Sequence, residues 1–552
     1  MAKKTKDSNL SLEERLEQAL IPNWDEPYKL PDNWCWTKIG IVTNLYRGVS
    51  YKKHEGHSEK GKDDCLVMRG GNIQEGKIDV NADNIYVSKE LISDEQYVKK
   101  HDVVIVSSTG STKVIGRAGI SFADYDDVAF GAFLTLVRPV ETLYKPYVSY
   151  YFQGDMYRNR MRQLASGVNI NNIRNEYITD TPFPMPPLDE QIRIVGRIES
   201  LFTKLEEAEE KAQEIVDGFE KRKAAILHKA FSGELTEIWR KENDRKIEEW
   251  VDLTFGDLMV SVKNGTTAKQ TKEKTIWPVT RIETLQNGTL DLSRVGYVVD
   301  PHTISEDDYY TTGDIAFSHI NSAAHVGKTA LIESHFLPLV HGMNLLRIRL
   351  NDLCLPKFMV WYSRSSKYKE LVMQRINMAV NQVSINQKQL KTMPIKLPTV
   401  DEQCEIVKIL DSLITKELHA KETAETVIEQ IEKMKKAILA RAFRGELGTN
   451  DPSEESAVEL LKKVLGGDAA VQVPAKKPTK RILIPSDIKE LLSNIREEEI
   501  IKLLLKASPQ PVSIQEIMSL SSKKFELMDA LRSLEKKHLI TKNESGEYSL
   551  TR

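Results

Sequence analysis

The chain has 552 residues, room for about three or four domains at roughly 100–200 residues each, so a single small module is excluded. Its 78 Lys and Arg against 80 Asp and Glu leave a formal net charge of −2, so bulk charge argues for neither nucleic acid nor membrane, and any basic site must be local. A hydrophobic content of 40% with 29% charged residues excludes a membrane-embedded or disordered chain, while Cys35, Cys65, Cys354 and Cys404, far apart and without a C-x-x-C pair, argue against a disulfide scaffold or zinc site and fit a reducing compartment.

The opening MAKKTKDSNLSLEERLEQAL predicts a charged, helical N-terminal segment over 1–27. It lacks the apolar core of about 7–15 residues that a signal peptide needs, and no apolar run of about 18 residues follows, so a cytoplasmic chain without a membrane span is expected. A strand-rich domain is predicted over 28–186, then one long helix over 187–235. The plan repeats, with a second strand-rich domain over 236–397 and a second long helix over 398–448. Pro186–Leu235 and Pro398–Leu447 align without a gap, Asp189 falling on Asp401, with nearly half of the positions identical. Fainter matches lie upstream: Val67-Met68-Arg69 with Val279-Thr280-Arg281, and Asp102-Val103-Val104-Ile105 with Asp314-Ile315-Ala316-Phe317. The fold class is therefore α+β, two tandem strand-rich domains each followed by a long helix. Between the anchors the halves differ strongly, as expected of two copies doing one job on two different targets.

Both long helices carry an apolar stripe at 4-3 spacing: Leu188, Ile192, Val195, Phe202, Leu205, Ala212, Val216, Phe219 and Ile226 in the first, with Glu199 and Glu209 interrupting. In the second, Val400, Cys404, Val407, Ile414, Leu418, Ile428, Ile431 and Ile438 form the stripe, with a slip in phase after Ile428. One stripe per helix needs one partner, which predicts an antiparallel coiled coil with the strand-rich domains at opposite ends. Asp189 and Asp401 are placed to cap the first turns, and Gly233 and Gly445 to close the helices in the left-handed conformation.

After Leu447 the character changes. Residues 449–484 read as a short helix, Ser453 to Leu465 with Ser453 as its cap, and a linker. Over 485–552 the pattern is helix (486–506), short helix (Ser513 to Met518), helix (Lys523 to His538) and a hairpin turning at Ser545-Gly546, a winged-helix-like domain. Lys523, Lys524, Arg532, Lys536 and Lys537 on its third helix suit either phosphate contacts or a solvated face on a protein-docking module.

No catalytic centre is found. Val326-Gly327-Lys328-Thr329 lacks the first glycine of a phosphate-binding loop, the position being Ser322. No S-adenosylmethionine loop, amino-methyltransferase [DNS]-P-P-[FYW] motif, nuclease cluster or metal-spaced histidine group is present.

The paired openings Pro-Pro-Leu-Asp-Glu-Gln and Pro-Thr-Val-Asp-Glu-Gln, with the closings Ala-Phe-Ser-Gly-Glu-Leu and Ala-Phe-Arg-Gly-Glu-Leu, resemble the specificity subunit of type I restriction-modification systems over roughly 28–448. Leu30-Pro31-Asp32-Asn33-Trp34 resembles the opening of a target-recognition domain of that family, with Arg47-Gly48-Val49-Ser50 following. The resemblance implies a non-catalytic subunit that binds double-stranded DNA, each half reading one part of a split target. Two methyltransferase subunits would dock around the helices and restriction subunits would join them. S-adenosylmethionine, ATP and Mg would reside in those partners, with no cofactor in this chain. A dimerising DNA-binding regulator is the alternative suggested by the tail; a self-contained restriction or methylation enzyme is disfavoured by the missing motifs.

Base reading needs polar and basic loop residues in the major groove, with cations at the flanking phosphates. The candidates are Arg47, Lys52, Lys53, Arg69, Asn72, Ser111 and Lys113 in the first domain, and Lys263, Asn264, Lys269, Arg281, His319 and Asn321 in the second. The polar runs Asn169-Ile170-Asn171-Asn172 and Asn381-Gln382-Val383-Ser384-Ile385-Asn386 either reach DNA or turn the chain.

Overall fold

The computed structural model describes residues 10–22, 26–165, 171–286, 288–378, 382–467, 492, 495–508, 510–518, 524–543 and 547–551. The chain divides into two compact units, Met1–Ala470 and Val471–Arg552.

In the first unit each strand-rich domain is built on a sheet, antiparallel except for the edge pair Gly76–Lys77 with Ala118–Ile120, in which one central strand is apolar and buried throughout. In the first domain Thr43–Arg47, Leu134–Pro139, Val103–Val106, Ala118–Ile120 and Gly76–Lys77 lie side by side in that order, and all four residues of Val103–Val106 are buried. In the second domain the order is Met259–Asn264, Leu346–Leu350, Ile315–Phe317 and Thr329–Leu331. The matched aspartates have matching jobs: Asp102 accepts from Arg138 Nε at 2.8 Å and Asp314 from Arg349 Nε at 2.7 Å, tying each central strand to its neighbour. A two-stranded ladder then leads into each long helix, Cys35–Lys38 with Pro182–Met185 and Val251–Thr254 with Pro394–Leu397.

The duplicated Asp-Glu-Gln is a buried lock. Glu190 and Gln191 are 0% exposed, Glu402 2% and Gln403 0%. Gln191 accepts from the Tyr144 amide and donates to the Pro186 carbonyl; Gln403 accepts from the Leu355 amide and donates to the Leu353 and Pro398 carbonyls. Glu190 accepts from Trp34 Nε1 at 2.8 Å, and Glu402 from Trp250 Nε1 at 2.8 Å. The remaining acceptor sites are filled from the end of the opposite helix. Thr449 and Asn450, following the second helix, donate to Glu190 at 3.3 and 2.9 Å. Thr236 and Arg240, following the first, donate to Glu402, Thr236 at 2.6 Å. Asp189 and Asp401 instead stay exposed and neither helix has a side-chain N-cap bond; they favour the positive helix end by charge alone, a correction to the expected caps.

The Ala-Phe-x-Gly-Glu-Leu closings work the same way. Phe443 packs its ring 5.2 Å from Tyr147 and 5.5 Å from Tyr151 in the first domain, while Phe231 lies 5.5 Å from Phe358 and 5.1 Å from Tyr362 in the second. Gly233 ends its helix at φ 86 and Gly445 turns at φ 72, the left-handed region that glycine alone enters without cost.

The helices Leu188–Ser232 and Val400–Ala442 pack together. Glu209 meets Lys435 Nζ at 2.7 Å, Glu417 meets Arg222 Nε at 2.7 Å and Lys421 Nζ sits 5.4 Å from the Phe219 ring centre, so early residues of one face late residues of the other and the pair is antiparallel. The seam of the second helix runs Leu410, Ile414, Glu417, Lys421, Ala424, Ile428, Ile431, Lys435, Ile438, Ala442, an unbroken 4-3 series of which every member is at least partly buried. There is therefore no phase slip, and Cys404 and Leu418 lie outside the seam and exposed. Reading only apolar residues produced the apparent slip, because the seam carries charges at 417, 421 and 435.

The N-terminal helix Leu12–Ala19 and the short helix Ala457–Gly466 both pack into the core of the first domain. The latter is capped by Ser456, whose hydroxyl accepts from the Val458 amide, whereas Ser453 donates to Asp451 and lies before the helix. Most of the predicted linker, from 468 on, is outside the described residues.

In the second unit, helices Ile495–Ala507, Ile514–Met518 and Lys524–Lys536 surround a core of Ile500, Ile501, Leu504, Leu531 and Leu534, closed by the hairpin Ile540–Lys542 with Tyr548–Leu550. The expected helix over 486–494, Lys523 and the Ser545-Gly546 turn lie largely or wholly outside the described residues. Lys537 donates to the fully buried Glu497 at 2.6 Å, so it holds the core of this unit instead of facing a phosphate; Arg532 and Lys536 are exposed.

Removing a buried carboxylate while leaving its cation strands a charge in a dry site, at about 3–5 kcal/mol. Glu402→Ala, which orphans Arg240, is expected to lower the urea midpoint followed by tryptophan fluorescence by that order, and Glu402→Ala with Arg240→Leu to recover part of it.

Candidate nucleic-acid interface

One end of each sheet is set by a close crossing of two backbones at glycine. Gly48 lies against Gly131, where an added Cβ would stand 2.2 Å from the Gly131 carbonyl oxygen; Gly265 lies against Gly342, where it would stand 2.4 Å away. Val49 bridges Gly131 and Thr266 bridges Gly342, both in parallel. The registers match as well: Arg47 pairs with Thr135, and Asn264 with Leu346. Arg47 and Asn264 are thus the same position in the two domains, with different chemistry.

Loops gather at this end. In the first domain the segment leaving Val106 carries Ser111 and Lys113 and is held by a small ladder, Asn171 opposite Thr109 and Asn172 opposite Ser108. The turn Gly131–Leu134 follows the crossing, and the Gly131 amide donates to the Met68 carbonyl at 2.9 Å, which brings Arg69 to the same edge. In the second domain Ile320–Asn321 pairs with Val383–Ser384, which also pairs with Asn377–Met378. Two residues of each predicted polar run, Asn171-Asn172 and Val383-Ser384, therefore form ladders beneath the loops; Asn169, Ile170 and Asn381 lie outside the described residues.

The candidates separate into three groups. Arg47, Lys52, Lys53, Lys113 and Lys269 are exposed, and their cationic heads make no hydrogen bond or ion pair among the described residues. Ser111 is exposed as well. Others are exposed or half-buried but already engaged. Arg69 forks onto Asp83, Lys263 pairs with Asp307 and Arg281 lies 3.3 Å from Glu283. Asn264 accepts from Gln387 Nε2 at 3.1 Å, and Asn321 donates to Ser318 and accepts from the Ser322 amide.

Two candidates are interior. Asn72 is 0% exposed, accepting from the Arg69 amide at 2.7 Å and donating to the carbonyls of Asp79, at 2.9 Å, and Ala82. Thr284 does the same job in the second domain, accepting from the Arg281 amide at 2.9 Å. Asn72 is a turn-holder, a correction to its assignment as a reader. His319 is 9% exposed, and burial pushes its imidazole below the ordinary range, so it is neutral at pH 7 and adds no cation to the surface.

The two ends thus differ in character. Among the candidates the first presents four free cations, whereas the second presents one, Lys269, with a group of amides, Asn264 bonded to Gln387 and Asn377 bonded reciprocally to Gln389 at 3.1 and 3.2 Å. Sequence reasoning missed Asn377, Gln387 and Gln389; Asn386, accepting from the Gln389 amide in a capping box, was the available signal. Among the described residues no cluster could hold a metal ion, and no helix is long and apolar enough to cross a membrane.

Asn72→Ala would leave three backbone groups unpaired in a dry turn, at about 1–3 kcal/mol, whereas Arg47→Ala should stay within about 0.5 kcal/mol of the parent. Urea unfolding of the two variants checks the assignment.

Comparison with known proteins agrees with this geometry. The family model described as the type I restriction modification DNA specificity domain matches twice, over 31–215 and 247–430, each match spanning one strand-rich domain and more than half of its helix. The chain is 28% identical over 452 residues to the EcoKI specificity subunit of Escherichia coli K12, covering 80% of this chain and 97% of that one. It is 26% identical to the StySPI specificity subunit of Salmonella potsdam, covering 79% and 96%. Among solved structures, the HsdS subunit from Thermoanaerobacter tengcongensis shares the fold with a TM-score of 0.50 at 19% identity, over 77% of this chain and all of that one. A chain from a study of assembly and conformational transition in the type I R-M system does so with a TM-score of 0.56 at 19% identity, over 76% and 100%. With its two strand-rich domains, its paired long helices and two family matches that together span most of its length, the chain belongs to the type I restriction-modification DNA specificity family.

Proposed function

We propose that the chain is the non-catalytic reader of a type I restriction-modification complex, binding a bipartite double-stranded DNA target through the loop-bearing ends of its two domains. The observation that carries this is the equivalence of Arg47 and Asn264: one scaffold position, built twice by the same glycine crossing, bears a phosphate- or guanine-seeking cation in one half and an adenine-compatible amide in the other. Lys52, Lys53, Lys113 and Lys269 would meet phosphates beside the base-reading loops. Two methyltransferase subunits, bringing S-adenosylmethionine, would dock along the paired helices, and restriction subunits, bringing ATP and Mg, would complete the assembly in the cytoplasm.

Methylation mapping of DNA from cells expressing the chain with its methyltransferase partner tests the reading. A split target methylated only when the chain is present is expected; methyl transfer by the purified chain alone would overturn the non-catalytic role. Arg47→Ala should relax one half of the target and Asn264→Ala the other, each by about 1–3 kcal/mol of discrimination. Relaxation of both halves by one substitution would contradict independent readers.

The helix of 45 residues is roughly 65 Å long at about 1.5 Å per residue. Inserting one heptad after Ala212 and another after Ala424 should keep the seam in phase and lengthen the gap between half-targets by roughly three base pairs, about 10 Å. Two-residue insertions at the same places should abolish assembly, and a folded, active heptad variant that kept the original gap would show that the helices do not set it.

A further inference from the structure

The sheet end that carries Arg47 also carries an aromatic ring that the fold does not use. Phe133 is 71% exposed, a large apolar side chain displayed on a loop among cations and hydroxyls. Its backbone is fixed with unusual care. The Phe133 carbonyl accepts from the Ser107 amide at 3.0 Å, the Ser107 hydroxyl at 3.0 Å and the Ser108 amide at 3.1 Å. The turn is closed behind it by the Leu134 amide on the Gly131 carbonyl at 2.8 Å, and Gly131 is pinned against Gly48. Two residues on, Thr135 pairs with Arg47, and Ser108 pairs with Asn172. A ring carried on backbone held this firmly is not a loose apolar residue on a mobile tip.

We propose that Phe133 reads a thymine in the first half-target, packing against the 5-methyl group in the major groove. This rests on the proposed DNA-reading function. The thymine methyl is the one apolar feature of the major-groove base edges, so a ring on a fixed backbone beside an arginine and an asparagine complements an edge that mixes a methyl with donors and acceptors. Insertion between base pairs is less suited to this residue, because that mode belongs to minor-groove wedges that kink the duplex. The second domain makes the contrast. Its turn is the same, with the Leu345 amide on the Gly342 carbonyl at 3.2 Å, but the position of Phe133 is taken by the exposed Asn344. The second half-target has no equivalent methyl contact.

The test uses the complex of the full chain with its methyltransferase partner, on duplexes carrying the mapped target. Each thymine is replaced in turn by deoxyuridine, which removes only the methyl group. One first-half replacement should weaken binding about fourfold, the weight of one methyl group withdrawn from water. Phe133→Ala should weaken binding to the thymine duplex by at least as much and erase the difference at that position, while Phe133→Leu should retain it. Phe133→Ala removes an exposed ring, so the variant is expected to fold and to assemble with its partner as the parent does, which thermal unfolding and gel filtration check. A first half-target without an A·T pair, the absence of a sensitive thymine there, or undiminished discrimination by Phe133→Ala overturns the proposal. Failure of the parent complex to bind any sequence selectively would instead count against the DNA-reading function itself.

Discussion

Two buried carboxylates organise the first unit. Glu190 and Glu402 each sit at the start of a long helix, out of water, where an unpartnered charge would cost several kcal/mol. Each is satisfied by a tryptophan from its own domain and by donors that follow the opposite helix. The helix can leave its domain in only one direction while those bonds hold, and the opposite helix can end in only one place. Gln191 and Gln403 add a second fixed point one residue on, each bonded to the strand end just before it and to the residue that opens an earlier helix of its domain, Lys145–Tyr151 or Pro356–Tyr362.

Given fixed ends, the seam decides alignment. Its apolar members supply the burial, but its charged members carry the register. Lys435 on Glu209, Arg222 on Glu417 and Lys421 against the Phe219 ring are satisfied only when the helices are staggered as found. A stripe of leucines alone would tolerate slippage by a heptad, whereas misplaced half-buried charges would not. Stability and specificity are thus divided between residue types along the same line.

The duplicated framework was legible because it is made of buried, mutually dependent groups that tolerate little change, so Asp-Glu-Gln and Ala-Phe-x-Gly-Glu-Leu survive in both halves of one sequence. The roles inside the motif were less legible. Asp189 was a plausible cap by position, yet Glu190 beside it does the holding, since no local rule tells which of two neighbouring carboxylates turns inward. Asn72 and Asn264 are indistinguishable as letters, and only the fold shows that one closes a turn and the other faces outward. Phe133 was passed over for the opposite reason: a phenylalanine flanked by Ala132 and Leu134 reads as core. Lys421 and Lys435 hid the continuity of the seam because a lysine stem can lie in an apolar groove while its head reaches a partner.

The cross-satisfaction of the two locks has a consequence for ancestry. Each half supplies an acceptor at the start of its long helix and donors just past that helix's end, so a half on its own leaves both open, while two identical halves close each other around a twofold axis. A symmetric dimer of half-length chains satisfies every lock present here, and fusing its genes in tandem preserves them all. In such a dimer both loop-bearing ends are the same by construction and can recognise only a palindrome. Fusion removes that restriction without disturbing those bonds, and allows one end to carry Arg47 where the other carries Asn264.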